Sequence, residues 1–146
     1  AAAKDNLRAA KEIIDDRMFL TPKIAAHALS PENTSWAQRL LGRYGDKAIE
    51  LLNESSQDQQ HNLDATEFSL AECRWAIKYE AVEHLDDLLL RRTRLGMCLP
   101  NGGSNLYPAL KDLFLSYQSW DEERWQQEVN RYETIWTKYY SLPSNA

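Results

Sequence analysis

Apolar positions recur every three to four residues along most of this chain, the repeat that puts them on one side of a helix. Leu7, Ala10, Ile14 and Met18 form the first such stripe. Leu20–Leu29 predicts a short second helix, with Thr21 as cap and Pro22 at the first helical position. From Thr34 to Ser55 two helices are expected in tandem. Ser35 and Gln38 make a capping box, and Trp36, Leu40 and Tyr44 share a face. Gly45 ends the first of the pair, Asp46 caps the next, and Ile49 and Leu52 continue the apolar side. Residues 55–66, SSQDQQHNLDAT, are nearly free of apolar side chains and predict an exposed loop.

The pattern resumes at Ser69–Glu80. Ser69 and Glu72 form a second capping box, and Phe68 and Cys73 stand where a hydrophobic staple belongs. A break is expected near residues 82–84. A helix over residues 85–95 follows, with Leu85, Leu88, Leu89 and Leu95 on its buried side and Gly96 at a left-handed cap. GMCLPNGGSNLYP reads as a loop. Leu106, Leu110, Leu113 and Tyr117 then share a face. A Ser119/Glu122 capping box opens the last helix, along which Trp125, Val129, Tyr132, Trp136 and Tyr139 are spaced helically. Alternating β-type runs are missing, so the expectation is an all-α fold, residues 1–146 forming a single compact helical domain of about six to seven helices.

The stretch HLDDLLLRRTRLG, residues 84–96, concentrates the charge. Asp86 and Asp87 fall in the first turn of the expected helix and Arg91, Arg92 and Arg94 in the last turns, as the helix dipole favours. Asp87 and Arg91 are four apart with the acid first, the better orientation for pairing. Glu80, at the end of the preceding helix, completes an expected structural cluster of Glu80, Asp87 and Arg91. Because successive helix positions are about 100° apart, Arg92 and Arg94 cannot share that pairing equally. They are the candidates for docking on another protein surface. Local pairing, docking and ligand binding are the three readings of these arginines, with pairing favoured.

The remaining chemistry is sparse. A formal net charge of -5, with no strongly basic segment, argues against a nucleic-acid binder. Two cysteines, Cys73 and Cys98, are too few for a disulfide framework and point to reduced thiols in a cytoplasmic protein. His27, His61 and His84 are scattered. Glu80, Glu83, His84 and Asp87 suggest metal ligands only until paired Glu-x-x-His segments are sought on other helices. No G-x-S-x-G context activates a serine, and Gly102–Gly103 lacks the strand and spacing of a phosphate cradle. No catalytic, cofactor-binding or metal residue is expected in this chain.

The order of segments adds one more observation. AECRWAIKYEAVEHLDDLLLRRTRLGM joins Glu72 and Glu80 to Asp87, Arg91, Arg92, Thr93, Arg94 and Leu95. This run resembles the signature of the C-terminal domain of FAD-dependent glycerol-3-phosphate dehydrogenases. LLGRYGDKAIELL and SWDEERWQQEVNRY resemble its flanks, so that the likeness covers most of residues 30–140. The resemblance implies a parent enzyme that binds FAD in a separate dinucleotide domain and oxidises glycerol 3-phosphate to dihydroxyacetone phosphate. Its electrons would pass to quinone at the cytoplasmic membrane face, or to oxygen in the oxidase branch. It implies for this chain a non-catalytic helical domain whose partners are the flavin and substrate domains of its own parent. FAD belongs to that parent, with no cofactor in this segment. The chain begins AAAKDN without a methionine, as expected of a cut-out or processed piece. The alternative is a free-standing helical adaptor whose arginine helix binds a partner protein.

Overall fold

Gly45 shows how this sequence turns a corner. Its φ of 55° lies in the left-handed region, and its amide donates to the Leu41 carbonyl at 2.9 Å. That geometry ends α1, Thr34–Tyr44, and starts α2, Lys47–Glu54. The computed structural model describes residues 34–63 and 66–142, without the side chains of residues 34–38 and 57. The stripes before Thr34 and the Ser35/Gln38 box lie outside the described residues. The described residues divide into two compact units, one ending at Glu54 and the other starting at Ser55. In the first, Leu40 of α1 and Leu52 of α2 are buried, as expected, together with Ala48 and Leu51, whereas Ile49 is half-buried.

Among its described residues the second unit is built from helices. Its β-type feature is one antiparallel bridge between Asn62 and Ser69. The stretch expected as a plain loop carries a 3₁₀ turn at Gln57–Gln60. Helix α3, Leu70–Tyr79, opens at Ser69, whose amide and hydroxyl both donate to the Glu72 carboxylate, at 3.0 and 3.1 Å. Cys73 is in the core and Phe68 packs against it. Helix α3 ends at a break, as anticipated, with Ala81 left-handed at φ 53°. Gln118 holds that break: its Nε2 donates to the carbonyls of Ile77 at 2.7 Å and Val82 at 3.0 Å.

Five expectations are corrected beyond the break. The helix expected over residues 85–95 is wound as a π-helix at Asp87–Arg92. Thr93 is the reason. Its amide and its hydroxyl both donate to the Leu88 carbonyl, at 3.0 and 2.7 Å, closing an i→i+5 ring. Arg94, not Gly96, then takes the left-handed conformation, at φ 58°. Gly96 belongs to the short helix α4, Leu95–Cys98. The presumed glycine loop is a 3₁₀ segment, Pro100–Leu106, with Asn101, Gly102 and Gly103 left-handed within it. Helix α5, Tyr107–Tyr117, buries Leu110, Leu113 and Phe114 but leaves Tyr117 exposed. Helix α6, Glu122–Tyr139, is capped by Asp121, whose side chain accepts from the Arg124 amide at 2.8 Å. The expected Ser119/Glu122 box does not form, because Ser119 is itself left-handed at φ 55°.

Helix α3 packs on α5 and α5 on α6. Ile77, Leu85, Leu88, Leu89, Leu110 and Phe114 fill the space between them. Trp125 is buried, and Phe114 and Trp120 stack at 4.2 Å between ring centroids. Trp125 is core, as its spacing indicates, while Trp136 of the same stripe and Trp120 are partly buried against that core. Burial pushes the Cys73 thiol up to about 12, and the Glu72 charge beside it adds to the shift. The neutral thiol therefore dominates at pH 8, whereas Cys98 is exposed. A thiol reagent at pH 8 is expected to label Cys98 alone in the folded chain and both cysteines in denaturant. Rapid labelling of both in the folded chain would contradict this packing.

Candidate functional site

The helical repeat of α6 places Glu128 inside an apolar stripe, three residues after Trp125 and four before Tyr132. A carboxylate there must find partners, because an unpaired buried charge is costly. Glu128 is 2% exposed and finds several. The His84 ring donates to it from Nδ1 at 2.9 Å, since a carboxylate has no proton to give. The Leu85 amide donates to its other oxygen at 3.2 Å. Arg124, one turn earlier, lies 2.8 Å from Oε1, and Arg131, one turn later, 3.9 Å from Oε2.

A second buried carboxylate adjoins the first. Asp86 is 4% exposed and pairs with Arg131 through Oδ1. Arg91 approaches its Oδ2 at 3.6 Å. The Asp86 bond raises the Arg131 pKa, so the guanidinium keeps its proton. Arg91 also donates to Asp87 at 2.7 Å. The other oxygen of Asp87 accepts from the amides of Glu83 and His84, at 3.2 and 3.0 Å, and so satisfies backbone donors at the break before the π-helix. The Arg91 side chain is 71% exposed, which places the Asp87–Arg91 pair at the rim.

Of the cluster expected from sequence, Asp87 and Arg91 therefore meet. Glu80 stands apart, at the end of α3, where its amide donates to the Ala76 carbonyl. Asp86, Glu128, Arg124 and Arg131 were missed. The signal was present on α6 as a charge at a core position of an otherwise apolar stripe. Arg92, at the end of the π turn, and Arg94, just beyond it, are exposed, with Met97 half exposed beside them in sequence.

The arrangement can hold two chain segments together. Its carboxylates are consumed by internal partners, and among the described residues no group of three His, Cys, Asp or Glu side chains could hold a metal ion. The glycine pair does not fit a flavin dinucleotide. Atoms of the Trp136 ring lie 3.0 Å from where a Cβ on Gly102 would sit, and Tyr132 donates to the Gly102 carbonyl at 2.7 Å. Helix packing thus occupies the approach that a pyrophosphate would need. Among the described residues, no helix is long and apolar enough to cross a membrane.

No curated protein and no solved structure matches the chain. A family model does: residues 17–125 match the C-terminal domain of alpha-glycerophosphate oxidase, and the chain belongs to that family.

Proposed function

We propose that this chain is the non-catalytic C-terminal domain of an FAD-dependent enzyme that oxidises glycerol 3-phosphate to dihydroxyacetone phosphate. The family match over residues 17–125 carries the reading. The geometry supports a structural role, because the buried carboxylates Asp86 and Glu128 are engaged by His84, Arg91, Arg124 and Arg131 rather than turned toward a cleft. The chemistry then belongs to the flavin and substrate domains of the parent, and this domain docks on them. Arg92 and Arg94 are the proposed contact residues, being exposed at the end of the π-helix. The flavin passes its electrons to quinone; oxygen is the acceptor that the family's oxidase name carries. The free thiols of Cys73 and Cys98 support a cytoplasmic location, with the parent peripheral on the cytoplasmic membrane face.

The purified chain, incubated with FAD and passed through gel filtration, is expected to emerge without a flavin absorption band. In a dye-coupled assay with glycerol 3-phosphate it is expected to match the buffer blank. The reading frame that carries it is expected to encode a dinucleotide-binding region upstream. Retained flavin or turnover would place an active site here, and a reading frame without that region would favour the free-standing adaptor.

A further inference from the structure

The π turn at Asp87–Arg92 is held against the local preference of its residues. Winding as α is the default of a helical stretch, and π turns are rare and frequent at functional sites. An i→i+5 ring holds one residue more than an α turn, so positions four and five apart come to the same side. Arg91 uses both. Its Nη1 reaches Asp87, four residues back, at 2.7 Å, and its Nη2 approaches Asp86, five back, at 3.6 Å. On an α-helix Asp86 would stand turned about 140° away from Arg91. At the other end Thr93, 4% exposed, spans the exit. Its hydroxyl donates to the Leu88 carbonyl at 2.7 Å and accepts from the Leu95 amide at 3.3 Å. Between those two bonds Arg94 is left-handed at φ 58°, a conformation that favours glycine.

We propose that this segment is a two-state device, in which π winding exchanges with α winding. Rewinding moves the Thr93 amide from the Leu88 carbonyl to that of Leu89 and passes the surplus residue into the link to α4. Arg94 then leaves its left-handed turn. Arg91 keeps Asp87 and parts from Asp86, which keeps Arg131 of α6, so no buried charge is stranded. Two side chains therefore hold the π state, Arg91 from solvent and Thr93 from the core, against the strain at Arg94. Arg92 ends the turn and Arg94 follows it, so the exchange re-aims both exposed arginines. A partner that docks on them in one winding selects that winding by its differential affinity. That last use rests on the docking reading given above; the exchange itself does not.

The test compares amide spectra of the ¹⁵N-labelled chain, unaltered and carrying Thr93→Val, Thr93→Ser, Arg91→Gln or Arg94→Gly. Thr93→Val and Arg91→Gln are expected to favour α winding and Arg94→Gly to favour π winding. Thr93→Ser keeps the hydroxyl and should stay near the unaltered chain. Each displacement should correspond to about a fivefold change in the ratio of the two windings, the worth of one buried hydrogen bond or of one left-handed residue other than glycine. One shared equilibrium makes the resonances of residues 86–96 move along common lines, with Arg94→Gly displaced oppositely to Thr93→Val and Arg91→Gln. In slow exchange the same order appears as paired peaks of changing ratio. The three-bond coupling at Arg94 reports the loss of its left-handed angle. Arg91→Gln and Arg94→Gly alter exposed positions and decide the matter if Thr93→Val does not fold. Resonances that move in unrelated directions, shifts confined to the neighbours of each substitution, or Arg94→Gly moving with Thr93→Val would overturn the proposal. So would a Thr93→Ser chain that behaves like Thr93→Val. Unaltered flavin retention in a parent carrying Arg92→Ala and Arg94→Ala would sink the docking reading alone and leave the exchange standing.

Discussion

Gly96→Ala is expected to destabilise the folded chain by about 2–4 kcal/mol, although it adds a single methyl group. That methyl would sit 2.2 Å from the Tyr132 hydroxyl and 3.2 Å from the Leu89 carbonyl oxygen. Tyr132 cannot simply swing aside. It is 1% exposed, it lies edge-on to Tyr107, and its hydroxyl is bonded to the Gly102 carbonyl. The substitution therefore combines overpacking with the loss of a buried hydrogen bond. A double-mutant cycle separates the two. Tyr132→Phe removes the clashing oxygen and alone should cost about 1 kcal/mol. The double variant should cost less than the sum of the two single ones, because the methyl then has room. Urea denaturation of the four proteins measures the cycle, and strict additivity would mean that Gly96 and Tyr132 are not in contact.

The second large effect is expected at Glu128. Removing this carboxylate by Glu128→Ala leaves the Leu85 amide and the His84 ring without their acceptor and two arginines short of a counter-charge. A broken buried pair costs about 3–5 kcal/mol. Arg124 and Arg131 are each 42% exposed and can recover water, which brings the expectation down to about 2–4 kcal/mol. Asp87→Ala should cost only about 1 kcal/mol, since its partner Arg91 is largely in solvent and the loss resembles that of a helix cap. The ranking is the test. If denaturant melts place Asp87→Ala above Glu128→Ala, the node is centred on the π-helix and not on α6.

That ranking also marks the boundary of what could be read from the residues alone. Patterns confined to one turn were legible. The Leu106, Leu110 and Leu113 stripe, the Ser69/Glu72 box and the break after Tyr79 each depend on neighbours three or four apart. The Asp87–Arg91 spacing is of the same kind. The His84–Glu128 bond joins residues 44 apart, and no local repeat announces it. Helix propensity does not distinguish α from π winding either. At Asp87–Arg92 the π turn is closed by the Thr93 amide on the Leu88 carbonyl, and the Thr93 hydroxyl adds a second bond to the same oxygen. Left-handed turns fell at Ala81, Arg94 and Ser119, where no glycine signals them. At such positions tertiary contacts outweigh a local preference of about 1–2 kcal/mol.

Gln118 has a consequence for the alphabet that its position can accept. Two carbonyls, from Ile77 and Val82, draw on one planar NH₂ group, each using one of its two protons. A carboxylate of the same length has no proton to offer, a hydroxyl has one, and asparagine is a methylene too short. Few other side chains can close that corner without moving α5. An assay of tolerated substitutions would therefore single out residue 118 as strongly as a catalytic group. Its intolerance would report the angle between two helices, set by the count of protons on a nitrogen.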